Sequence, residues 1–367
     1  MTAPRMLICE DSRTYAVALK RMLEHDGDIA VVGVFTTAEE AIAALPRLEP
    51  DLVTMDIELP GMGGLQAVEE IMSSRPVPIL VLSAHVGRTG NHAAAALAAG
   101  ALDALAKDDI DLREPSGAAA AAFRRRVKLL SRARVIRHPR VRLPPRPAPT
   151  PAAAAAGSPA PAPAAAGSPA TGRLDRRASV IGVCASTGGP HVLARLLGAL
   201  PAAYPVPILV VQHMATGFTQ GLARWLDGAV PPPVRIAVAG ARADRGVWIA
   251  PENTHLTFTG TGHLSIDHRT AAGPHRPSGD MLFTSIAAAA GNSGVALVLS
   301  GLGSDGAAGS AAVKRSGGIV IAQDQESSAV YGMPQAAIVR GVSLILAPDE
   351  IAGFLLSLRR EHLLGAQ

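Results

Sequence analysis

Three residues that could form a hydrolytic triad each follow an apolar segment of the chain. Ser186 follows VIGVCA, His213 follows ILVVQ, and Asp305 lies in the glycine-rich loop SGLGSDG after GVALVL. A serine nucleophile needs a histidine base and a carboxylate that orients the histidine. The chain order Ser, His, Asp and the absence of Gly-x-Ser-x-Gly argue against the α/β-hydrolase fold. We therefore predict a Ser-His-Asp triad on another α/β fold, with the backbone N–H groups after Ser186 forming an oxyanion hole.

A second group of polar residues, in the N-terminal part, has the composition of a magnesium and phosphoryl site. Glu10 and Asp11 follow the first apolar segment, Asp56 the third, Ser83 the fourth and Lys107 the fifth. Three carboxylates at one edge of a parallel sheet repel one another, so they need a cation. An all-oxygen site with few protein ligands suits Mg²⁺. Lys107 and the Ser83 hydroxyl would then contact a phosphoryl group on Asp56.

The elements that must position the second group form five predicted βα units. The predicted strands span 6–9, 30–34, 52–55, 79–82 and 101–106, and the predicted helices span 14–24, 38–45, 64–72, 91–99 and 118–130. Units of this length imply a five-stranded parallel sheet with helices on both faces. Ligand sites in such sheets lie at the C-terminal ends of the strands.

The C-terminal part, which carries the predicted triad, shows the same alternation. Strands are predicted at 180–184, 208–212, 234–238, 247–250, 295–299 and 319–322, and the period-2 pattern of 247–267 predicts a β-ribbon. The predicted fold class is therefore α/β in both parts. A five-stranded parallel sheet comes first, and a doubly wound, mainly parallel sheet with a small β-ribbon follows it.

A segment rich in proline and alanine separates the two parts. From 144 to 171, 21 of 28 residues are Pro or Ala, a composition that favours a semi-rigid extended tether without a core of its own. We expect a first domain at 1–123, a basic and then Pro/Ala-rich linker at 124–177, and a second domain at 178–367.

The positive charge of the chain is concentrated just before this tether. Residues 124–146 contain ten Arg or Lys and no acid, so the formal net charge changes from +4 to −6 when they are left out. No aromatic residues alternate with the basic ones, as they do in single-strand nucleic-acid binders. We therefore interpret the segment as a solvated helix end and linker start, and we expect no nucleic-acid partner.

The cellular location is predicted from cysteine usage and from the apolar segments. The chain has two cysteines, no long apolar run before Glu10, and a longest uncharged stretch that is full of proline. These features favour a reducing compartment and argue against a secretory leader or a membrane helix. We expect a cytoplasmic protein without membrane insertion.

The N-terminal part resembles the response-regulator receiver domain over about residues 4–121. The stretch DLVTMDIELPGMGGLQAVEEIM is especially similar to the receivers of receptor methylesterases. The resemblance implies phosphorylation by a histidine kinase, with Mg²⁺ as the cofactor. It assigns five side chains: the phosphate acceptor Asp56, the metal-side acids Glu10 and Asp11, and the switch contacts Ser83 and Lys107.

The C-terminal part resembles the catalytic domain of the protein-glutamate methylesterases of bacterial chemotaxis. Six motifs match in order over about 178–358: VIGVCASTGGP, VVQHMATGFTQGLA, APENTHL, HRPSGDMLFTSIA, VLSGLGSDGAAG and AQDQESSAVYGMPQAAI. The family's catalytic residues map onto Ser186, His213 and Asp305. The resemblance implies hydrolysis of glutamate methyl esters on chemoreceptors with release of methanol. It also implies deamidation of receptor glutamines by the same triad, and a reaction that needs no cofactor.

The chain departs from the two family patterns at five positions. In the receiver, Gly63 replaces the usual Asp of Met-Asp-Gly, Asp108 replaces the Pro after Lys, and Ala104 stands where a switch aromatic is expected. In the catalytic domain, Leu302 replaces a frequent Met, and Gly279 replaces the Val of the PSVD motif. We expect an altered fit at the last two positions rather than a loss of chemistry.

The sequence leaves three alternatives open. A metal hydrolase would have to use some of His255, His263, His268 and His275, but their irregular spacing favours surface or loop positions. A DNA-binding response regulator would need a helix-turn-helix output domain after the linker. The same esterase chemistry could also serve a chemosensory pathway other than chemotaxis.

Overall fold

The computed structural model describes residues 3–84, 90–133, 135, 177–268 and 275–360. The Pro/Ala-rich tether and most of the basic segment lie outside these residues. The described residues form two α/β units, each built around its own parallel sheet.

The N-terminal unit contains a five-stranded parallel sheet in the order β2-β1-β3-β4-β5. Its strands are β1 (Arg5–Cys9), β2 (Ala30–Phe35), β3 (Leu52–Asp56), β4 (Ile79–Ser83) and β5 (Asp103–Ala106). Its helices are α1 (Arg13–Leu23), α2 (Ala38–Leu48), α3 (Gly64–Ser74), α4 (Gly90–Ala98) and α5 (Ala118–Leu130). The five predicted βα units are confirmed.

Local sequence explains where the first helices begin. Ser12 accepts a hydrogen bond from the backbone of Tyr15 at the start of α1, and Thr37 does the same for Glu40 at the start of α2. These side chains satisfy backbone N–H groups that a helix leaves unpaired at its first turn. The fully buried strands between the helices carry continuous apolar runs, as expected for a sheet covered on both faces.

The basic segment is only partly the solvated helix end that its composition suggested. Helix α5 continues to Leu130, so the first unit extends beyond the expected boundary at 123. Arg124 is 3% exposed and donates to Asp26 at 2.8 Å, and Lys128 pairs with Asp28. These basic residues neutralise acids of the first unit rather than facing a partner molecule. The interpretation as a solvated face is therefore wrong for Arg124 and Lys128, whereas Arg125 and Arg132 are exposed.

The C-terminal unit contains a seven-stranded parallel sheet in the order β15-β14-β13-β7-β8-β10-β9, and two small two-stranded sheets. Its strands are β6 (Arg177–Ala178), β7 (Val180–Ala185), β8 (Ile208–Gln212), β9 (Val234–Ile236), β10 (Val247–Ile249), β11 (His255–Phe258), β12 (Leu264–Asp267), β13 (Gly294–Val298), β14 (Ile319–Gln323), β15 (Leu344–Leu346) and β16 (Arg359–Arg360). Its helices are α6 (Gly189–Gly198), α7 (Thr219–Ala229), α8 (Gly279–Ala290), α9 (Ala307–Arg315), α10 (Gly332–Val339) and α11 (Pro348–Ser357).

The predicted doubly wound sheet is confirmed, with two corrections. The antiparallel ribbon consists of β11 and β12 alone, whereas β10 pairs in parallel with β8 and β9 in the main sheet. The edge strand β15 was not predicted, because three residues are too few to show a period. The described output region is α/β rather than helix-turn-helix, which argues against a DNA-binding regulator.

The strand order of the large sheet determines where the triad region lies. From β7 the chain moves outward in one direction through β8, and from β13 it moves outward in the other direction through β14. Ligands of open α/β sheets bind in the crevice where the strand order reverses, at the carboxyl ends of the strands. Here that crevice lies between β7 and β13. Among the described residues, no helix is both long and apolar enough to cross a bilayer.

Candidate active site

Ser186 lies in a tight turn between β7 and α6. The parallel pair Ala185 and Gln212 places Ser186 and His213 at adjacent strand ends. On the other side, the backbone N–H of Ser186 donates to Ser300 in the loop after β13 at 3.0 Å. The sheet thus brings the predicted nucleophile between the strand that carries the histidine and the loop that carries the aspartate.

The turn requires glycine at position 188. Gly188 has φ of 76°, and a Cβ there would lie 2.7 Å from the Cβ of Ala329. Pro190 stands in the first turn of α6, as the sequence predicted. The backbone N–H of Thr187 makes no hydrogen bond within the described residues. The residue after a nucleophile is a usual oxyanion donor, so this free N–H suits that role.

His213 and Asp305 form a direct hydrogen bond. Nε2 of His213 lies 2.8 Å from Oδ2 of Asp305, and both side chains are about nine-tenths buried. Because the carboxylate accepts this bond, Nε2 carries the proton and Nδ1 keeps the lone pair. Nδ1 is buried and has no hydrogen-bond partner among the described residues. Nδ1 is therefore the ring atom that is available to accept a proton.

The start of helix α8 holds the Asp305 carboxylate. Its Oδ2 accepts from the backbone of Gly279 at 2.6 Å, and its Oδ1 accepts from the Ser278 hydroxyl at 2.8 Å and from the backbone of Asp280 at 3.1 Å. Burial alone would raise the pKa of Asp305, but the bonds from His213 and from the helix start hold that pKa well below its usual range. Asp305 stays ionised and can stabilise a positive charge on His213.

Sequence reasoning missed two residues of this site, both in the HRPSGD segment. Ser278 was assigned no role, although a serine before a helical pattern is a capping signal. The ring of His275 stacks on the ring of His213, with centroids 4.4 Å apart and planes 10° apart. His275 is a loop residue, as predicted, but its ring packs on the active-site histidine. The interpretation as a surface or loop residue is wrong for His255, which is fully buried in β11.

The structure explains the unusual Gly279. A Cβ at this position would lie 2.2 Å from the sulfur of Cys184 and 2.7 Å from its Cβ. Cys184 is fully buried on β7, and its sulfur lies 3.9 Å from Oδ2 of Asp305. Burial and the charge of Asp305 raise the pKa of this thiol, so it stays protonated. The Cys184 side chain thus occupies the space that a larger residue at 279 would need.

The acidic residues of the first unit come together as predicted. Glu10, Asp11 and Asp56 each offer a carboxylate oxygen within 4.8 Å of the others. The Lys107 ammonium lies 2.7 Å from the carboxylates of both Glu10 and Asp56. Burial raises the pKa of Glu10 and the charge of Asp56 adds to this rise, while the bond from Lys107 opposes it. The cluster carries an excess of buried negative charge that a divalent cation would balance.

Ser83 and Ala104 occupy neighbouring strands next to this cluster. Ser83 is buried at the end of β4 and pairs with Ala106 of β5. Ala104 is 2% exposed and pairs with Val81. A small residue is therefore packed inside the sheet at the position where the receiver pattern has an aromatic side chain.

The receiver-like unit contacts the turn that carries Ser186. The carbonyl of Leu102 accepts from the backbone N–H of Gly188 at 3.2 Å. The carboxylate of Asp103 accepts from the Thr187 hydroxyl at 2.6 Å and from Arg126 at 2.6 Å. The loop between α4 and β5 thus covers the backbone just after the predicted nucleophile and engages one of its N–H groups.

Apolar contacts extend this interface on both sides. Phe218, at the start of α7, is fully buried in the core cluster that contains the packed face of α4. Leu302 and Val330, from loops of the C-terminal unit, belong to the cluster that contains the apolar face of α5. Leu302, where the family often has Met, therefore lies in an apolar cluster to which both units contribute.

Comparison with known proteins agrees with both halves of the chain. The family model described as CheB methylesterase matches residues 181–355, and the model described as response regulator receiver domain matches residues 6–114. The crystal structure of the Thermotoga maritima CheB methylesterase catalytic domain is 35% identical. The match between the two covers 49% of this chain and 97% of the crystallised domain, and its TM-score is 0.47.

Relatives match the chain over nearly its full length. A protein-glutamate methylesterase/protein-glutamine glutaminase of Anaeromyxobacter dehalogenans is 42% identical over 364 residues, covering 97% of this chain and 99% of the relative. A protein with the same description from Myxococcus xanthus is 39% identical over 358 residues, covering 96% of each.

Fold and site define a hydrolase joined to a response-regulator receiver domain. The chain belongs to the protein-glutamate methylesterase/protein-glutamine glutaminase family. It is a hydrolase of the chemotaxis methylesterase type, as the sequence predicted.

Proposed function

We propose that Ser186, His213 and Asp305 carry the methylesterase reaction. The hydrogen bond between Nε2 of His213 and Oδ2 of Asp305, at the strand end beside Ser186, is the observation that carries this proposal. It gives the histidine a defined tautomer with Nδ1 as the base, and it gives the imidazolium a buried counter-charge.

The reaction follows from these positions in two acyl-transfer steps. Nδ1 of His213 takes the Ser186 proton as Oγ attacks the ester carbonyl, and the proton then passes to the departing methoxide, which leaves as methanol. The N–H groups of Thr187 and Gly188 stabilise the negative oxygen of the tetrahedral intermediate. Water then attacks the acyl-enzyme, with His213 again as base, and releases glutamate and free Ser186. A glutamine side chain would react by the same steps with ammonia as the leaving group.

The substrates that we propose are methylated glutamates and certain glutamines of chemoreceptors on the cytoplasmic side of the membrane. The names of the relatives, which combine methylesterase and glutaminase activities, support this substrate class. We propose a cytoplasmic enzyme that meets these receptors without inserting into the membrane.

For the receiver we propose phosphorylation of Asp56 by a histidine kinase. Glu10, Asp11 and Asp56 would hold Mg²⁺, because three carboxylate oxygens within 4.8 Å and a raised pKa at buried Glu10 suit a hard divalent cation. Bound Mg²⁺ would neutralise the charge of the phosphate oxygens. Lys107 would exchange its contact with Asp56 for the phosphoryl group, and the Ser83 hydroxyl would hydrogen-bond it.

The contacts of Leu102 and Asp103 support a regulatory role for the receiver. While Leu102 accepts the Gly188 N–H, this donor cannot stabilise an oxyanion, and the same loop obstructs the approach to Ser186. We propose that phosphorylation of Asp56 loosens this contact and exposes the active site.

A direct test is methanol release from methylated receptor membranes by the full chain in the presence of a small-molecule phosphodonor. Ser186→Ala should lower the rate by on the order of 10⁶-fold while the protein remains folded. The exposed Ser304 of the nearby loop provides a matched control, and Ser304→Ala should keep the rate. A folded Ser186→Ala protein that releases methanol at the normal rate would overturn the triad assignment.

A further inference from the structure

The most unexpected feature of the active site is the second histidine on the face of His213. The two rings are nearly parallel, with a centroid separation of 4.4 Å and an angle of 10°. His275 is half-buried and lies three residues before Ser278, whose hydroxyl holds Asp305. The short segment 275–278 therefore contacts both partners of the hydrogen-bonded pair. The ring of His275 stacks on His213, and the hydroxyl of Ser278 donates to Asp305.

The hydrogen bond to Asp305 does not by itself fix the His213 ring. A single bond at Nε2 allows the ring to turn about the line that joins Nε2 to Oδ2, and this turn changes the direction in which Nδ1 points. Nδ1 must point at the Ser186 hydroxyl for proton transfer, and misplacement by about an ångström is costly for such steps. A flat ring packed in parallel on the face of His213 removes this freedom.

The electrostatics of the stack depend on the charge of His275. The charged groups that act on it are His213, at the end of β8, and Asp305, after β13. Burial lowers the pKa of His275, and the charge of His213 lowers it further, whereas Asp305 opposes both effects. Asp280 on α8 and Cys184 on β7 couple to Asp305. At neutral pH, His275 therefore presents an uncharged aromatic face to its neighbour.

We propose that His275 is a positioning residue that fixes the plane of the His213 imidazole and favours its protonated form through a neutral aromatic face. An aromatic face attracts a cation placed over it. When Nδ1 accepts the Ser186 proton, the imidazolium thus gains attraction from His275 as well as from Asp305. If His275 is protonated in acid, the same contact becomes a repulsion between like charges, and proton transfer is disfavoured.

Kinetics on three variants test this role with the full chain, the phosphodonor and methylated receptor membranes. His275→Ala removes the ring and should lower kcat roughly tenfold, with KM nearly unchanged, because only the transition state is affected. His275→Phe keeps a flat ring without a titrating group. It should retain most of the kcat at pH 8 and lose activity less steeply than the wild type as the pH is lowered, because Phe cannot add a second positive charge to the stack. His263→Ala, on the turn of the β11–β12 ribbon, is the matched histidine control and should behave as the wild type.

Nitrogen NMR of the imidazole rings gives a readout that does not depend on substrate. The His213 signals, assigned with a His213→Ala protein, should show a single Nε2–H tautomer in the wild type and in His275→Phe. In His275→Ala the bond to Asp305 should keep the Nε2–H tautomer, but nitrogen relaxation should show more motion of the His213 ring than in the wild type and in His275→Phe. Wild-type kcat, acid limb and His213 ring motion in His275→Ala would overturn the proposal.

The inference rests on the triad proposed above, and the same measurements separate the two. If His213→Ala keeps the wild-type rate, the triad itself is wrong. If His213→Ala is inactive and His275→Ala is unaffected, only the role of His275 is wrong.

Discussion

The positions of Ser186, His213 and Asp305 were predictable from sequence, because Ser186 and His213 directly follow buried parallel strands and Asp305 lies in the loop after a third such strand. Such strands have continuous apolar runs, and their carboxyl ends meet at one edge. Ser278 and His275 follow no strand. Their positions depend on how α8 packs beside β7, and no period in the sequence reports this packing. The side chains that support the triad therefore became visible only in the structure.

At the residue scale, the depressed pKa of Asp305 predicts a stability that depends on pH. A carboxyl whose pKa is lower in the folded than in the unfolded state contributes stability above its unfolded value of about 4. This contribution is lost as pH falls below that value toward the lower folded pKa. Asp305→Asn should thus cost on the order of 2 kcal/mol of unfolding free energy at pH 7. The difference from the wild type should shrink between about pH 4 and pH 2.

Urea unfolding of both proteins at several pH values measures this difference. Asp324→Asn is a useful comparison, because Asp324 also accepts hydrogen bonds from the side chain and backbone of one residue, Ser327, but lies outside the triad. A stability difference for Asp305→Asn that stays constant from pH 7 down to pH 2 would contradict the prediction.

At the element scale, strand β7 packs so closely on the start of α8 that the Cys184 side chain fills the space of the usual side chain at position 279. Because a Cβ at Gly279 would overlap both the sulfur and the Cβ of Cys184, Gly279→Ala should destabilise the protein by about 1–3 kcal/mol. Combining it with Cys184→Gly, which removes both clashing atoms, should cost less than the sum of the two single changes. The two substitutions should therefore be coupled favourably in a double-mutant cycle.

Thermal and urea unfolding of the four proteins measure this coupling. Gly198, which has open space around its Cα, is the control site, and Gly198→Ala should not be destabilising or coupled to Cys184→Gly. Additive free energies for the Cys184 and Gly279 changes would show that the two positions do not share space as described.

Helix α5 shows where composition misled the sequence prediction. The high density of arginine suggested a linker start, but composition does not report which face of the helix is buried. Arg124 donates to Asp26, to the Met22 carbonyl at 3.2 Å and to the Pro115 carbonyl at 2.6 Å. Arg124→Ala should therefore cost about 2 kcal/mol of unfolding free energy, because buried acceptors lose their donor.

The next residue along the chain provides the control for this prediction. Arg125 is exposed on the other side of α5, so Arg125→Ala should change the unfolding free energy by less than about 0.5 kcal/mol. Equal effects of the two substitutions would mean that Arg124 is not a structural part of the first domain.

At the scale of the whole molecule, strand β5 joins the two functional sites. It begins at Asp103, which contacts the Thr187 turn, and it is followed by Lys107, which binds Asp56. If Asp56 is phosphorylated as proposed, a change in the contacts of Lys107 would have only the four residues of buried β5 to cross before it reaches the interface. The sequence indicated both sites but not this connection, because contacts between domains follow no periodic pattern.

The interface predicts that the receiver restrains the esterase before phosphorylation. Asp103 is buried between Arg126 and Thr187, so Asp103→Ala leaves Thr187 without its acceptor and weakens the hold on the loop that engages Gly188. Without phosphodonor, Asp103→Ala should release methanol several-fold faster than the wild type, because coupling energies between sites are about 1–3 kcal/mol.

The fragment 175–367, which lacks the receiver, should be faster still. Asp109→Ala, at an exposed position, is the control and should release methanol at the wild-type rate. If Asp103→Ala and the fragment are no faster than the unphosphorylated chain, the receiver does not inhibit by covering the turn.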